Sequence, residues 1–158
     1  MQGADIVVHA AAIAHERDDR VKRLAGKIDR VLVDAPCSGL GTLRRNPDLK
    51  WRQDPKAIAE VTQKQTAILD SAARLLKSGG RLVYATCSLL PEENEAIADA
   101  FSAVHKDFKP LPVADVLEGL KVDSKVGTPQ SLVSGAYLRL WPHRHQTDGF
   151  FAAVWQKA

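Results

Sequence analysis

The chain has 158 residues, of which 45% are hydrophobic and 26% are charged. This length and composition suit one globular domain and exclude a disordered chain. No apolar run approaches the roughly 20 residues of a transmembrane helix, and the first residues lack the basic start of a signal peptide. We therefore expect a cytoplasmic protein with no membrane segment. The net charge of +3 is mild, but the basic residues are unevenly distributed.

Two short apolar runs, at residues 31–33 and 82–84, predict β-strands. Their unbroken apolar character is typical of a parallel sheet that helices cover on both faces. Between them, Asp54 and Pro55 predict the start of a helix, whose apolar residues continue at helical spacing through Leu76. Ser-Gly-Gly at residues 78–80 predicts its end. The segment is therefore expected to form a β-α-β unit.

A second helix is expected after Pro91. Its apolar stripe would consist of Ile97, Phe101, Val104 and Phe108. Two glutamates, at positions 92 and 93, fall in the first turn, where carboxylates complement the helix dipole. We expect these glutamates to have a structural role only.

The two cysteines, Cys37 and Cys87, each follow one of the predicted strands. The carboxyl ends of neighbouring parallel strands lie about 5 Å apart and border the ligand crevice of open α/β sheets. A paired-thiol site is therefore predicted, although a free cysteine is ordinarily a small buried hydrophobic residue. The cysteine spacing indicates neither a zinc site nor a structural disulfide. The five histidines are scattered, and we assign them packing or surface roles.

Four basic residues follow the first cysteine within nine positions, with Trp51 among them: Arg44, Arg45, Lys50 and Arg52. A run of charges is ordinarily a solvated face. Cations beside an aromatic ring also suit a nucleic-acid backbone and an unstacked base. Because this cluster flanks the predicted thiol site, it is a candidate RNA-binding surface. A second basic cluster lies at residues 139–145.

Two longer motifs carry a resemblance to a known family. They read Val33-Asp-Ala-Pro-Cys-Ser-Gly-Leu-Gly-Thr-Leu-Arg-Arg-Asn-Pro-Asp-Leu-Lys-Trp51 and Tyr84-Ala-Thr-Cys-Ser-Leu-Leu-Pro-Glu-Glu-Asn-Glu95. Together they resemble the Sun/Fmu family of RNA cytosine-5 methyltransferases, and in particular the bacterial 16S ribosomal RNA methyltransferase B type. Residues 147–151, Thr-Asp-Gly-Phe-Phe, also resemble the family's last strand. The resemblance therefore runs from about residue 29 to the end.

The resemblance implies an α/β fold of the Rossmann-like class I S-adenosylmethionine-dependent methyltransferases, with a mainly parallel sheet and an antiparallel C-terminal strand. It implies that Cys87 is the nucleophile that adds to carbon 6 of cytosine and that Cys37 assists release of the enzyme. DNA cytosine-5 methyltransferases instead carry the nucleophile in the Pro-Cys motif. Asp34 is implied to contact the methionine portion of S-adenosylmethionine, although an aspartate before Ala-Pro also suits a turn.

The family's glycine-rich turn and the acidic residue that hold S-adenosylmethionine have no clear counterpart here. Residues 4–9 are a candidate for the family's third strand, and Glu16 is a weak candidate for the adenine contact. We therefore expect residues 1–158 to be the C-terminal portion of a catalytic domain, in an incomplete fold that lacks the first strands. The isolated chain should bind S-adenosylmethionine poorly, and its exposed sheet edge should favour self-association.

Two other functions remain open at this stage. The chain would be a non-catalytic RNA-binding or assembly fragment if the fold is kept without the cofactor site. A hydrolase using Cys87 and a histidine is a third reading, but no sequence feature places a histidine beside that cysteine.

Overall fold

A six-stranded sheet organises the computed structural model, which describes residues 18–51, 54–120 and 127–158. The strands are β1 (Ile28–Asp34), β2 (Leu76–Thr86), β3 (Phe108–Leu111), β4 (Val133–Ser134), β5 (Tyr137–Leu140) and β6 (Phe150–Lys157). The α-helices are α1 (Asp19–Lys22), α2 (Pro55–Ala73), α3 (Glu95–Val104), α4 (Val113–Gly119) and α5 (Pro142–His145). Short 3-10 turns occupy Leu40–Thr42, Pro47–Trp51, Pro91–Glu93 and Pro129–Leu132.

Strand β2 is an interior strand of the sheet, next to the β1 edge. It pairs with β1 in parallel and with β6 in antiparallel orientation. The far edge of β6 is shared by β5 and β3, and β4 extends the sheet beyond β5. The α/β class and the antiparallel C-terminal strand are thus confirmed. Within the described residues, however, β1 with β2 is the one parallel pair, so the sheet there is mixed rather than mainly parallel.

Helix α2 makes the crossover between the two parallel strands, as predicted. The Asp54 side chain accepts a hydrogen bond from the Ala57 backbone N–H at 2.8 Å, and Pro55 occupies the first helical position. This is the expected N-cap arrangement. The buried face of the helix, which includes Leu69 and Ala72, contributes to the core on one side of the sheet.

The predicted end of α2 at residues 78–80 is wrong. The helix ends at Ala73, and the fully buried Leu76 already belongs to β2. Gly79 has a φ of 75°, and the pairing of β1 with β2 shifts register between Ile28 and Arg30. Both a helix end and a bulge in a strand favour a residue that tolerates positive φ, so the glycines alone do not distinguish the two structures.

The expected second helix is shorter than its apolar stripe. Helix α3 ends at Val104, whose side chain is 75% exposed. Phe108 is instead the first residue of β3, and its ring packs edge-on against Phe101 with centroids 5.3 Å apart. The spacing of apolar residues indicated their shared burial correctly, but not the change from helix to strand at His105, where ψ is 80°.

The edge formed by β1 is exposed. In the described part of the chain β1 pairs with β2 alone, and Leu32 on this strand is 67% exposed. An exposed strand edge with an apolar side chain favours further strand pairing. The candidate strand at residues 4–9 lies outside the described residues. No helix within the described ranges is long and apolar enough to cross a membrane.

Gly41 joins three segments of the chain. Its backbone N–H donates to the Cys87 carbonyl at 2.8 Å, and its own carbonyl accepts from the Gly149 N–H at 2.8 Å. A Cβ added at Gly41 would lie 2.6 Å from the Cys87 oxygen and closer still to the Gly149 oxygen. Both obstacles are backbone atoms, so they have little freedom to move away.

We predict that Gly41→Ala lowers the free energy of unfolding by about 1–3 kcal/mol, because overpacking displaces backbone groups that are hydrogen-bonded. Gly119→Ala is the matched control, since no atom lies within 4 Å of the added methyl group. Urea unfolding followed by circular dichroism measures both variants. Equal stability of the two variants would contradict the prediction.

Candidate active site

The two cysteines lie together at the carboxyl ends of β1 and β2. The last residue of β1, Asp34, is in register with Ala85, and the Ala35 N–H donates to the Ala85 carbonyl at 2.9 Å. Beyond this point the two segments leave the sheet at the same edge, the one formed by the carboxyl ends of β1 and β2. The Sγ atoms of Cys37 and Cys87 are 3.4 Å apart, and both side chains are partly buried free thiols. The predicted proximity of the two thiols is confirmed.

The two thiols do not ionise independently. Burial raises the pKa of Cys37, and the neighbouring Cys87 sulfur raises it further, while the backbone N–H of Gly39 opposes the shift. Cys37 therefore keeps its proton at neutral pH. A thiol that is only 3.4 Å from a second sulfur can donate that proton in a hydrogen bond to a Cys87 thiolate.

Asp34 is exposed at the end of β1. An exposed carboxylate at the carboxyl end of a strand is well placed for a ligand contact. Its neighbours Ala35 and Val33 are buried, so the strand end itself is fixed in the core. The other candidate cofactor contact, Glu16, lies outside the described residues.

The candidate RNA-binding residues divide into two groups. Arg44 and Arg45 both approach Asp148, Arg44 at 3.7 Å and Arg45 in a hydrogen bond, so they are tied to the segment before β6. Lys50 lies 4.7 Å from the centroid of the Trp51 ring, which is 80% exposed. This pair presents a cation and an aromatic face to solvent. Arg52 lies outside the described residues.

Glu93 is the residue that sequence reasoning most clearly misread. The expected role was a complement to the helix dipole, but the side chain is fully buried and precedes α3. It accepts hydrogen bonds from Ser38 and Ser88, which directly follow the two cysteines. The sequence shows that a serine follows each cysteine and that an acid lies nearby. This pattern alone does not indicate that the three side chains contact one another.

Arg139, in the second basic cluster, is also buried. Its guanidinium donates to the Leu89 carbonyl at 2.9 Å and lies 4.5 Å from the centroid of the Trp141 ring. Glu95 Oε1 lies 3.6 Å away, and burial lowers the pKa of Arg139. The residue therefore holds the loop after Cys87 against β5 and is inaccessible to a nucleic-acid backbone.

The described histidines have partners away from the thiols. His105 bonds to Asp70 at 2.8 Å, while His145 bonds to the Trp141 N–H and the Ser131 carbonyl. His143 lies against the Trp141 ring. None of these contacts supports a Cys-His hydrolase. In the described ranges no group of three metal-ligating side chains occurs.

Comparison with known proteins gives a consistent result. A family model described as 16S rRNA methyltransferase RsmB/F matches residues 5–156. The chain is 48% identical over 131 residues to the probable ribosomal RNA small subunit methyltransferase B of Synechocystis sp., covering 83% of this chain and 28% of that protein. It thus spans less than a third of that relative's length.

Solved structures show the same likeness. NSun6 from Pyrococcus horikoshii with SFG is 30% identical with a TM-score of 0.67, over 92% of this chain and 34% of that one. A methyltransferase homolog protein from Pyrococcus horikoshii is 29% identical with a TM-score of 0.63, over 88% of this chain and 42% of that one. The fold is therefore a partial Rossmann-like methyltransferase fold. With the family model covering nearly all of its length, the chain belongs to the RsmB/F family of 16S rRNA methyltransferases.

Proposed function

We propose that residues 1–158 are the C-terminal portion of the catalytic domain of a cytoplasmic RNA methyltransferase, which methylates carbon 5 of cytosine in rRNA and uses S-adenosylmethionine. The observation that carries this proposal is the 3.4 Å separation of the Cys37 and Cys87 sulfurs at the ends of two parallel strands. The rRNA substrate follows from the description of the family and from the names of the relatives.

Carbon 5 of cytosine needs activation because it is a weak nucleophile. In the proposed reaction the Cys87 thiolate adds to carbon 6, and the electrons of the carbon 5–carbon 6 double bond become available at carbon 5 while the ring takes up a proton. When bound, S-adenosylmethionine supplies the methyl group. Removal of the carbon 5 proton then restores the double bond, the carbon–sulfur bond breaks, and Cys87 leaves as a thiolate while the ring gives back the proton that it took up.

The coupling between the sulfurs orders these steps. While Cys87 is a thiolate, its charge helps to keep the pKa of Cys37 high. A Cys87 sulfur bonded to carbon is uncharged, so this contribution is removed once the covalent bond forms. Cys37 then loses its own proton to solvent more readily, so its thiolate is available to accept the carbon 5 proton when that proton must leave. The two sulfurs therefore favour Cys87 as the nucleophile before the addition and Cys37 as the base after it.

The cofactor contact in the described part of the chain is Asp34. An exposed carboxylate at the carboxyl end of β1 suits a hydrogen bond from the amino group of the methionine portion. The NSun6 structure, solved with the S-adenosylmethionine analogue SFG, supports the use of this cofactor. Glu16 remains a candidate for the adenine contact. Self-association through the exposed edge of β1 likewise remains a prediction.

Replacement of the cysteines tests the mechanism. In the protein that carries this sequence, Cys37→Ala should accumulate a covalent complex with 16S rRNA, because the adduct forms but is not resolved. Cys87→Ala should form no complex and should lower methylation roughly 10⁴-fold or more, as expected for loss of a nucleophile. Denaturing gels and nucleoside mass spectrometry measure the two outcomes.

A complex trapped by Cys87→Ala would reverse the two roles. A wild-type protein that binds rRNA without forming an adduct or 5-methylcytosine would favour the non-catalytic RNA-binding alternative.

The coupling of the thiols predicts a pH effect. Because the thiolate is the reactive form, Cys37 should react slowly with iodoacetamide at pH 7, and its rate should rise roughly tenfold per pH unit. Cys87→Ala removes the second sulfur, so the pH midpoint for the reaction of Cys37 should fall, although burial keeps it above that of a free thiol. Mass spectrometry of alkylated peptides follows the reaction. An unchanged midpoint would show that the sulfurs are not coupled.

The Lys50 and Trp51 pair is predicted to bind RNA in two distinguishable ways. Lys50→Ala should weaken binding and reduce the slope of log affinity against log salt by about 1, since one phosphate contact is lost. Trp51→Ala should weaken binding roughly tenfold with little change in that slope, because stacking is lost. Fluorescence anisotropy with an rRNA fragment measures both.

Lys77→Ala is the control, since Lys77 lies at the opposite end of β2 and pairs with Asp29. A loss of affinity as large as that of Lys50→Ala would indicate a non-specific charge effect.

A further inference from the structure

The Glu93 carboxylate is fully buried, and it accepts hydrogen bonds from neutral donors. Oε1 accepts from the Ser38 N–H at 2.7 Å and from Gln65 Nε2 at 3.3 Å. Oε2 accepts from the Ser38 hydroxyl at 2.6 Å and from the Ser88 hydroxyl. Burial of a carboxylate is costly, and these four donors offset the cost.

A carboxylate differs from an amide at this position because it accepts hydrogen bonds and donates none. The Ser38 and Ser88 hydroxyls, 3.1 Å apart, can both point toward Glu93 only if they donate to it. A glutamine whose oxygen accepts from both hydroxyls would turn its N–H group against the Ser38 backbone N–H, which can only donate. A carboxylate can therefore accept from the hydroxyls and from the Ser38 N–H at the same time, whereas an amide cannot.

The bonds of Glu93 reach the residues that flank both cysteines. Ser38 directly follows Cys37, and Ser88 directly follows Cys87. Gln65 extends the network by donating to the carbonyl of Pro36, the residue before Cys37, at 2.9 Å. Its amide thus connects the other side of that cysteine to the same carboxylate.

Asn94 continues the network on the side of Cys87. Its side-chain N–H donates to the Ser88 carbonyl at 3.0 Å, and its oxygen accepts from the Thr86 hydroxyl. Thr86 and Ser88 are the neighbours of Cys87. Each cysteine is therefore held through the residues before and after it, and Glu93 bonds to both cysteine loops from outside them.

We infer that Glu93 is a positioning residue that fixes the separation of the Cys37 and Cys87 sulfurs. Its hydrogen bonds described above do not include either sulfur, so it acts through Ser38 and Ser88. Its effect on methylation rests on the proposed function, whereas its effect on the geometry of the thiols does not. Loss of the carboxylate should widen the distribution of distances between the sulfurs even in molecules that remain folded.

Thiol–disulfide exchange with oxidised glutathione measures that geometry directly. One cysteine thiolate attacks the glutathione disulfide and releases a glutathione thiolate. The second cysteine then attacks the mixed disulfide and releases another, so two electrons pass from the protein to glutathione. The equilibrium gives the effective concentration of one thiol at the other. We expect Glu93→Gln to lower it roughly tenfold, the equivalent of one charge-assisted hydrogen bond.

The control is Glu92→Gln, which changes an exposed glutamate in the same turn and should leave the effective concentration unchanged. Ser88→Ala removes the hydroxyl that joins Glu93 to the Cys87 loop, and it should lower the effective concentration as well. It provides the test if Glu93→Gln does not fold, which thermal unfolding determines. Folded variants of Glu93 or Ser88 that keep the wild-type effective concentration would overturn the inference.

Methylation kinetics separate this inference from the proposed function. In an active protein Glu93→Gln should lower kcat with little change in KM for RNA, because the carboxylate does not contact the substrate. A wild-type protein without methylation activity, together with the expected shift in glutathione equilibrium, would refute the proposed function and leave the positioning role intact. Methylation by the wild type with no shift in the variants would do the reverse.

Discussion

The parallel pairing of β1 with β2 is the constraint on which the site depends. Parallel neighbours bring their carboxyl ends to the same edge of a sheet, so two loops that are 50 residues apart in sequence meet there. Because β2 is also paired with β6 along its other side, the strand cannot shift without breaking hydrogen bonds on both edges. The pairing of β2 with both neighbours, rather than the conformation of the cysteine loops, thus determines where the thiols lie.

Close thiols create an electrostatic problem that the same arrangement solves. Two thiolates 3.4 Å apart in a partly buried site would repel strongly, so the site disfavours ionisation of both at once. Cys37 is the thiol that keeps its proton, because burial raises its pKa. The arrangement also places the Glu93 carboxyl group against the residue that follows each cysteine, where its hydrogen bonds satisfy both oxygens.

The sequence predicted the features that depend on local chemistry. The strands, the start of α2 at Asp54 and Pro55 and the convergence of the cysteines follow from apolar runs, capping residues and strand direction. It failed where two structures share the same local requirement, as with the positive φ of Gly79. It also failed for Glu93 and Arg139, because a charged residue is exposed by default and only the tertiary structure shows the donors or rings that permit its burial.

The segment before β6 shows why a short motif far along the chain belongs to the site. The Gly149 N–H bonds to Gly41 in the first cysteine loop, and Gly41 in turn bonds to the Cys87 carbonyl. Asp148, the residue before Gly149, contacts Arg44 and Arg45 and so connects these arginines to the segment that enters β6. A bulkier residue at position 149 would meet the Leu89 side chain and the Gly41 backbone. The segment that enters β6 is therefore part of the site, since it contacts both the thiol loops and the arginines.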